Sequence, residues 1–305
     1  MLKRDVERYI GLRHAMGFKF EREAGNLRSF ARFATARGDT HVKAATAIDW
    51  AATGCSVDQR ARRLGQVVRL AEHLKAEVPL HELPPARAFV SQRTRPSPYI
   101  YSAEEIARIL EAASQLRRSK LTPLRAELYQ TLFGLIAATG LRVSEALRLR
   151  FDDVLPGAVL RIRKTKFNKS RLVPLHPTVA VALERYLALR RRVNTRALHL
   201  FLGNGGKQLT LQSVDWTFAV VLRRAGIVPE RTRRPRVHDL RHTFATRVLQ
   251  QCGTRPEAVA RHFVALSTYL GHAHIRHTYW YLEATPELMG HIAELAEALV
   301  AGRSA

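Results

Sequence analysis

"AVLRIRKTKFNKSRLVPLHP", residues 158–177, is where this chain changes its period. Apolar and polar residues alternate through Val159, Arg161 and Arg163, and again in "NKSRLVPL". Alternation of period two puts successive side chains on opposite faces of a strand, so the stretch predicts a β-hairpin with its tip at Lys166–Lys169. "LHLFLGNGG", residues 198–206, reads as a further short strand and turn. Nearly everything around these segments repeats every three or four residues instead. The expected fold is therefore mainly α with a small antiparallel β-sheet.

The helices announce themselves by face and by cap. Leu2, Val6, Tyr9 and Ile10 share one stripe, and Gly17 can end that helix; Leu27, Phe30, Ala31 and Ala34 line a second, stopped at Gly38. "SVDQ", Ser56–Gln59, has the form of a capping box and opens a third long helix with Leu64, Val67, Val68, Ala71 and Leu74 facing inward. A stretch with five prolines and little periodicity follows, and we take residues 78–101 as a linker. Beyond it "SAEE", Ser102–Glu105, is another capping box. Helices are expected near 102–115, 123–138 (opened by Thr122-Pro123), 178–192, 210–225, 238–250, 256–280 and 286–300. The chain thus divides into a helical domain, 1–95, and a larger domain, 100–305.

Charge narrows the partners. Of 305 residues, 50 are Lys or Arg and 26 are Asp or Glu, a formal +24. Residues 1–95 carry 18 basic and 10 acidic side chains, so both domains are basic. Such a field attracts a polyanion, and a nucleic-acid duplex gripped from two sides fits it. No run of about 18 apolar residues exists to cross a bilayer, the N-terminus lacks the apolar core of a signal peptide, and a cytoplasmic protein is expected. Two cysteines, Cys55 and Cys252, are too few for a disulfide framework or a cysteine-based metal site.

Some chemistries lack their residues. "GNGGKQ" has neither the spacing nor the Ser/Thr of a phosphate-binding loop. His238 and His242 lie four apart, and His272, His274 and His277 cluster, but a metal would need neutral imidazoles among several arginines, so no metal site is expected. Breaking a phosphodiester without metal has other needs. Guanidinium groups must neutralise the charge on the phosphorane, a nucleophile must attack, and the leaving oxygen must receive a proton. Four blocks offer such groups: "ATGLRVSEALRLRFDDV" (138–154) with Arg142 after a glycine turn; "KTKFNKSRLVPL" with Lys166; "RVHDLRHTFATRVL" (236–249) with His238 and Arg241 three apart; and "LSTYLGHAHIRHTYWY" (266–281) with His272 and Tyr281. Each alone is weak, since a buried Arg or His is commonly structural.

Together and in this order, "TGLRVSEAL", "NKSRLVPL", "HDLRHTFAT" and "LSTYLGH" followed by the Ile275, Thr278 and Tyr281 spacing closely resemble the tyrosine recombinase/integrase family. The resemblance covers residues 100 to about 300. The N-terminal helices are similar to that family's core-binding domain, and "YIGLRHAMGF" and "TYWYLEATPEL" are similar to recombinases carried by bacterial transposable elements. It implies a two-domain recombinase architecture in which Tyr281 attacks the scissile phosphate to form a 3′-phosphotyrosine. Arg142 and Arg241 would clamp the non-bridging oxygens, and His272 would hydrogen-bond the same phosphate. His238 would help take the tyrosine proton, Lys166 would donate to the leaving 5′ oxygen, and Glu145 would orient an active-site group. On a helix Tyr279 lies about 200° round from Tyr281, so both cannot face one phosphate. DNA-phosphate contacts are expected from Arg62, Arg63 and Arg69 of the third long helix and from Arg163, Lys164 and Lys169 of the hairpin. No cofactor is implied; the partners are double-stranded DNA and, on it, a homo- or hetero-tetramer that can include sister recombinases.

The sequence departs from the family pattern in two places. "QQCGTRPEAVARHF" lengthens the span from Arg241 to His272, and "TYWYLEA" replaces a frequent Tyr-x-His ending. The stripe Leu288, Ile292, Leu295 and Leu299 could dock on its own domain or on a neighbour. Two other activities remain open at this level: a type IB topoisomerase, and an accessory DNA-binding protein that keeps the fold without independent catalysis.

Overall fold

In the computed structural model, residues 1–90, 97–163, 170–193, 195–227, 235–251 and 256–271 are described, Pro256–Ala260 by backbone alone. The chain folds as two units, Met1–Arg95 and Pro96–Ala305, each with a core of its own. Among the described residues no helix is long and apolar enough to cross a membrane.

The described residues of the first unit form four helices: α1 (Leu2–Ala15), α2 (Glu21–Ala36), α3 (Ala44–Ala52) and α4 (Val57–Lys75). The stripes read from the sequence are the buried ones: Leu2, Val6, Tyr9 and Ile10 meet Leu27, Phe30, Ala31 and Ala34 in one core with Leu64, Val67 and Leu74. Gly17 and Gly38 both take φ of +82°, the left-handed conformation that closes a helix C-terminus. Helix α3 has no counterpart among the expected elements, so Ser56 opens the fourth helix and not the third. It is alanine-rich, and its one large buried side chain, Trp50, packs edge-on against Phe30 at 5.5 Å. The Ser56 hydroxyl accepts from the Gln59 amide as expected, but the Gln59 side chain accepts from Cys55 N–H instead of closing the reciprocal box on Ser56. The proline-rich stretch is fastened at its start. His81 is buried and its Nδ1 accepts from Val42 N–H at 3.0 Å, while Glu82 N–H donates to the Val42 carbonyl at 2.8 Å.

In the second unit α5 (Ala103–Ser114) packs on α6 (Arg125–Thr139), followed by the single-turn α7 (Val143–Ala146). Both halves of the Ser102–Glu105 capping box form. Helix α6 begins at Arg125, two residues later than Thr122-Pro123 suggests; residues 119–122 instead make a small bridged turn. The sheet has three strands, β1 (Val154–Leu155), β2 (Val159–Ile162) and β3 (Arg171–Pro174), in the order β1-β2-β3 and antiparallel throughout. β1 adds a strand to the expected hairpin. Leu160 and Val173 are cross-strand partners buried in the core, so Val159 and Arg161 share the outer face. The segment at 198–206 forms no regular strand. It contributes single bridges, Arg150 to His199 and Leu202 to Gln208, and a one-turn helix at Asn204–Gly206.

Helices α8 (Pro177–Arg191), α9 (Leu211–Arg224), α10 (Val237–Gln250) and α11 (Pro256–Leu270) complete the described unit. Phe133, Ile136, Leu187, Phe201, Phe218 and Leu240 are fully or almost fully buried in its main core. A second cluster joins Ala245 and Leu249 of α10 to Phe263, Leu266 and Leu270 of α11. Helix α11 stops at Leu270, ten residues before the expected end. Gly271 takes φ of +65°, which breaks a right-handed helix. The expected helix at 286–300 lies outside the described residues.

Candidate active site

Three loops and helix ends bring the site together. α6 ends at Gly140, whose φ of +61° turns the chain sharply. No other residue fits here: a Cβ would lie 2.5 Å from Phe244 Cδ1 and 2.9 Å from Leu270 Cδ2. The close approach of α10 and α11 to this turn therefore demands glycine. Two residues on, Arg142 caps α7 from an extended conformation and its side chain leaves the helix axis.

Arg241, one turn into α10, is 1% exposed and is the largest fully buried side chain of the described residues. Its guanidinium donates to two carbonyl oxygens, those of Gly140 and Leu270, the latter at 2.9 Å. Arg142 donates to the carbonyl of Gly271 at 3.1 Å. Two guanidinium groups 99 positions apart in sequence thus reach carbonyls of consecutive residues, immediately before His272 in the chain. Burying an arginine is costly unless its N–H groups are satisfied, and the two carbonyls exposed by helix ends supply that satisfaction.

Glu145 is the hub beside them. Its side chain is 3% exposed. One carboxylate oxygen accepts from Arg142 Nη1 at 2.8 Å and Arg171 Nη1 at 3.0 Å; the other accepts from Arg142 N–H at 3.0 Å and Arg171 Nη2 at 2.8 Å. All four acceptor positions of the carboxylate are therefore used. Burial pushes its pKa up, but the hydrogen bonds and charge of Arg171, with those of Arg142, outweigh burial and hold it at about 2. Arg171 is the functional candidate that sequence reasoning misses. Its motif, "NKSRLVPL", stands out for its strand pattern, and nothing in one sequence marks which of its cations turns inward.

His238 stands in an exposed position in the first turn of α10, its ring 4.6 Å from that of His242. Asp239 between them is 1% exposed; it caps the helix by accepting from Arg236 N–H at 2.8 Å, and burial raises its pKa despite the Arg236 charge. Lys164, Lys166, Lys169, His272 and Tyr281 lie outside the described residues. On α4, Arg62 and Arg69 are exposed. Arg63 is half-buried, donating to Thr53 Oγ1 at 2.8 Å and sitting 5.3 Å over the Trp50 ring, so it is part of the fold of its unit. Arg163 is engaged by Asp152 and Asp153, and Arg161 shares the same pair of acids. A cavity of about 700 Å³ lined by Tyr129, Tyr186 and Trp216 holds none of these residues. Among the described residues no cluster of three or more His, Cys, Asp or Glu could hold a metal ion.

A helical unit with a three-stranded antiparallel sheet, and a glycine-turn arginine meeting a helix-borne one, is the architecture of a tyrosine recombinase catalytic domain. The model of the phage integrase family matches residues 100–287, and the chain belongs to that family. It is 37% identical over 295 residues to the integrase/recombinase y4rB of Sinorhizobium fredii, covering 93% of each chain. It is 32% identical over 201 residues to the tyrosine recombinase XerD of Bifidobacterium longum, covering 63% of this chain and 60% of that one. Among solved structures it is similar to the Tn1549 transposon integrase in complex with transposon right end DNA, with a TM-score of 0.66 at 18% identity over 95% of this chain and 98% of that one. It is also similar to the XerH recombinase in its post-cleavage complex, with a TM-score of 0.65 at 20% identity over 90% and 78%. The chain is thus a member of the tyrosine recombinase/integrase class.

Proposed function

We propose that the chain performs site-specific strand exchange between two DNA duplexes through a 3′-phosphotyrosine intermediate. The observation that carries this reading is the convergence of Arg142 and Arg241 on the carbonyls of Gly271 and Leu270. In-line attack on a phosphodiester places two negative charges on the equatorial oxygens of the phosphorane. Two guanidinium groups held in one place before substrate arrives offer planar, charged donors to those oxygens with little reorganisation. His272 follows those carbonyls in the chain and would add a neutral or charged donor to the same phosphate. Tyr281, nine residues further, supplies the phenolic oxygen that bonds to phosphorus and expels the 5′ oxygen. His238 helps take the tyrosine proton, and Lys166 gives one to the leaving oxygen. The phosphotyrosine keeps the energy of the broken bond, so a 5′ hydroxyl from the second duplex reverses the step without ATP, and the arginines supply the charge neutralisation that a metal would otherwise give.

Repeated in pairs, the reaction passes through a Holliday junction held by four protomers, identical or mixed with sister recombinases. The basic helical unit, Met1–Arg95, with Arg62 and Arg69 exposed on α4, is assigned to the duplex, as are Lys164 and Lys169 beside the catalytic lysine. The transposon integrase among the structural neighbours, and the terminal motifs of the sequence, support a duty on a mobile element.

The test is a nicked suicide substrate carrying the element's own end sequence, with the adduct scored on a denaturing gel. Wild type is expected to form covalent protein–DNA adduct without added metal or ATP, and Tyr281→Phe to form none. An adduct that persists in Tyr281→Phe would place the nucleophile elsewhere. No adduct from wild type would favour an accessory DNA-binding duty, and fast relaxation of plasmids lacking any specific site would favour a topoisomerase.

A further inference from the structure

We infer that Arg171 is a positioning residue of the cleavage reaction. It acts from the sheet through Glu145 on Arg142, and from beside Gly271 it holds the turn whose two successive carbonyls the clamping arginines grip. The inference rests on the proposed reading of Arg142 and Arg241 as the phosphate clamp and deepens it.

Four observations meet on this side chain. Arg171 opens β3, paired with Ile162 of β2, and so belongs to a rigid sheet whose inner face is core. Its guanidinium grips both oxygens of Glu145 at 3.0 and 2.8 Å, a bidentate pair that fixes the carboxylate plane. That same carboxylate holds the Arg142 guanidinium and backbone N–H, so any rotation of Glu145 would move Arg142 with it. Finally, Arg171 lies beside Gly271: a Cβ there would sit 2.9 Å from Arg171 Nη1 and 3.3 Å from its Cζ. Arg171 thus neighbours the residue whose carbonyl is the second anchor of Arg142.

The side chain is 13% exposed, which sets it apart from a surface cation free to meet DNA phosphate. Its position in sequence adds a consequence. Lys166, the proposed proton donor to the leaving oxygen, lies five residues earlier on the same β2–β3 connection. Arg171 is therefore the point where the segment carrying the acid is tied to the arginines that receive the phosphate. Displacing a charge-bearing donor by about an ångström from its productive place can lower a rate roughly 10²-fold without touching affinity.

The experiment compares wild type, Arg171→Gln and Arg171→Lys in single-turnover adduct formation on the suicide substrate, with DNA saturating and binding measured separately by gel shift. Circular dichroism melts establish that each variant is folded. Arg171→Gln is expected to lower the cleavage rate by roughly 10²-fold at saturation with DNA affinity within about twofold of wild type, and Arg171→Lys to recover part of the loss. A pH profile reads what a purely structural role would not move. In wild type Glu145 stays ionised over the working range; without Arg171 its buried carboxylate loses its chief counter-charge, so the variant's rate falls as pH is lowered in a range where wild type is flat. The inference is overturned if Arg171→Gln cleaves at the wild-type rate, if saturating DNA restores its rate, or if its rate falls with the wild-type pH profile. An adduct that persists in Tyr281→Phe overturns the reaction itself, and this assignment with it, so the two failures are told apart.

Discussion

Replacing Glu145 by glutamine removes the charge at the centre of the site while keeping its shape. In wild type four hydrogen bonds from two arginines saturate the carboxylate. The amide keeps one oxygen and turns an NH2 group toward guanidinium N–H groups that need acceptors, which leaves buried donors unpaired. The carboxyl is held at about 2 in the folded protein against an ordinary 4.5. At 1.36 kcal/mol per unit, the ionised group contributes about 3 kcal/mol at neutral pH. Because the folded value is depressed, that contribution is fully present above 4.5 and is lost as pH falls toward 2. At about pH 3.5 the unfolded carboxyl is roughly nine-tenths protonated and the folded one still ionised, so about 1 kcal/mol of the contribution has gone. This figure is governed by the unfolded value, since the folded group has barely begun to titrate. Urea unfolding of wild type and Glu145→Gln, followed by circular dichroism at about pH 7 and about pH 3.5, measures the difference while other carboxylates cancel. Wild type should be the more stable at neutral pH, and its advantage should shrink by about 1 kcal/mol at the lower pH. An advantage that is the same at both pH values would refute the claim that Glu145 is ionised between two arginines.

The two glycines that shape the site give sharper steric tests. Gly140→Ala and Gly271→Ala each force a side chain into a left-handed turn and against a neighbour, Phe244 in one case and Arg171 in the other. Each should lower unfolding stability by about 1–3 kcal/mol, read from urea midpoints, and lower cleavage on the suicide substrate, the first by shifting the carbonyl that Arg241 grips. On α4, the double variant Arg62→Gln/Arg69→Gln should flatten the slope of log affinity against log salt by about 1.8, as two lost phosphate contacts require, with an unchanged melt. Arg163→Gln should change that slope less than either single α4 change, because Asp152 and Asp153 already neutralise Arg163.

Much of this protein is written locally. The stripes of α1, α2 and α4 follow from a 3.6-residue repeat, and the Ser102–Glu105 capping box from side chains that reach their own backbone. The antiparallel pairing of β2 with β3 follows from an alternation that only a strand can use. Helix α3 escapes a sequence reading because alanine-rich turns carry little periodic contrast, and the end of α11 escapes it because one glycine outweighs an apolar pattern that runs on past it. The identities of Arg142, Arg241 and Glu145 are legible from motif order. Their meeting is not, because 99 positions separate the two arginines and only the docking of α10 and α11 against the Gly140 turn brings them to two successive carbonyls. Arg171 makes the distinction plainest. By sequence it is one cation among 50; the register of β3 turns it toward a buried carboxylate, and burial makes that pair matter. Local sequence sets the residue types and helix ends, through forces that act within a turn or two, whereas the electrostatics of the site exist only where distant segments exclude water together.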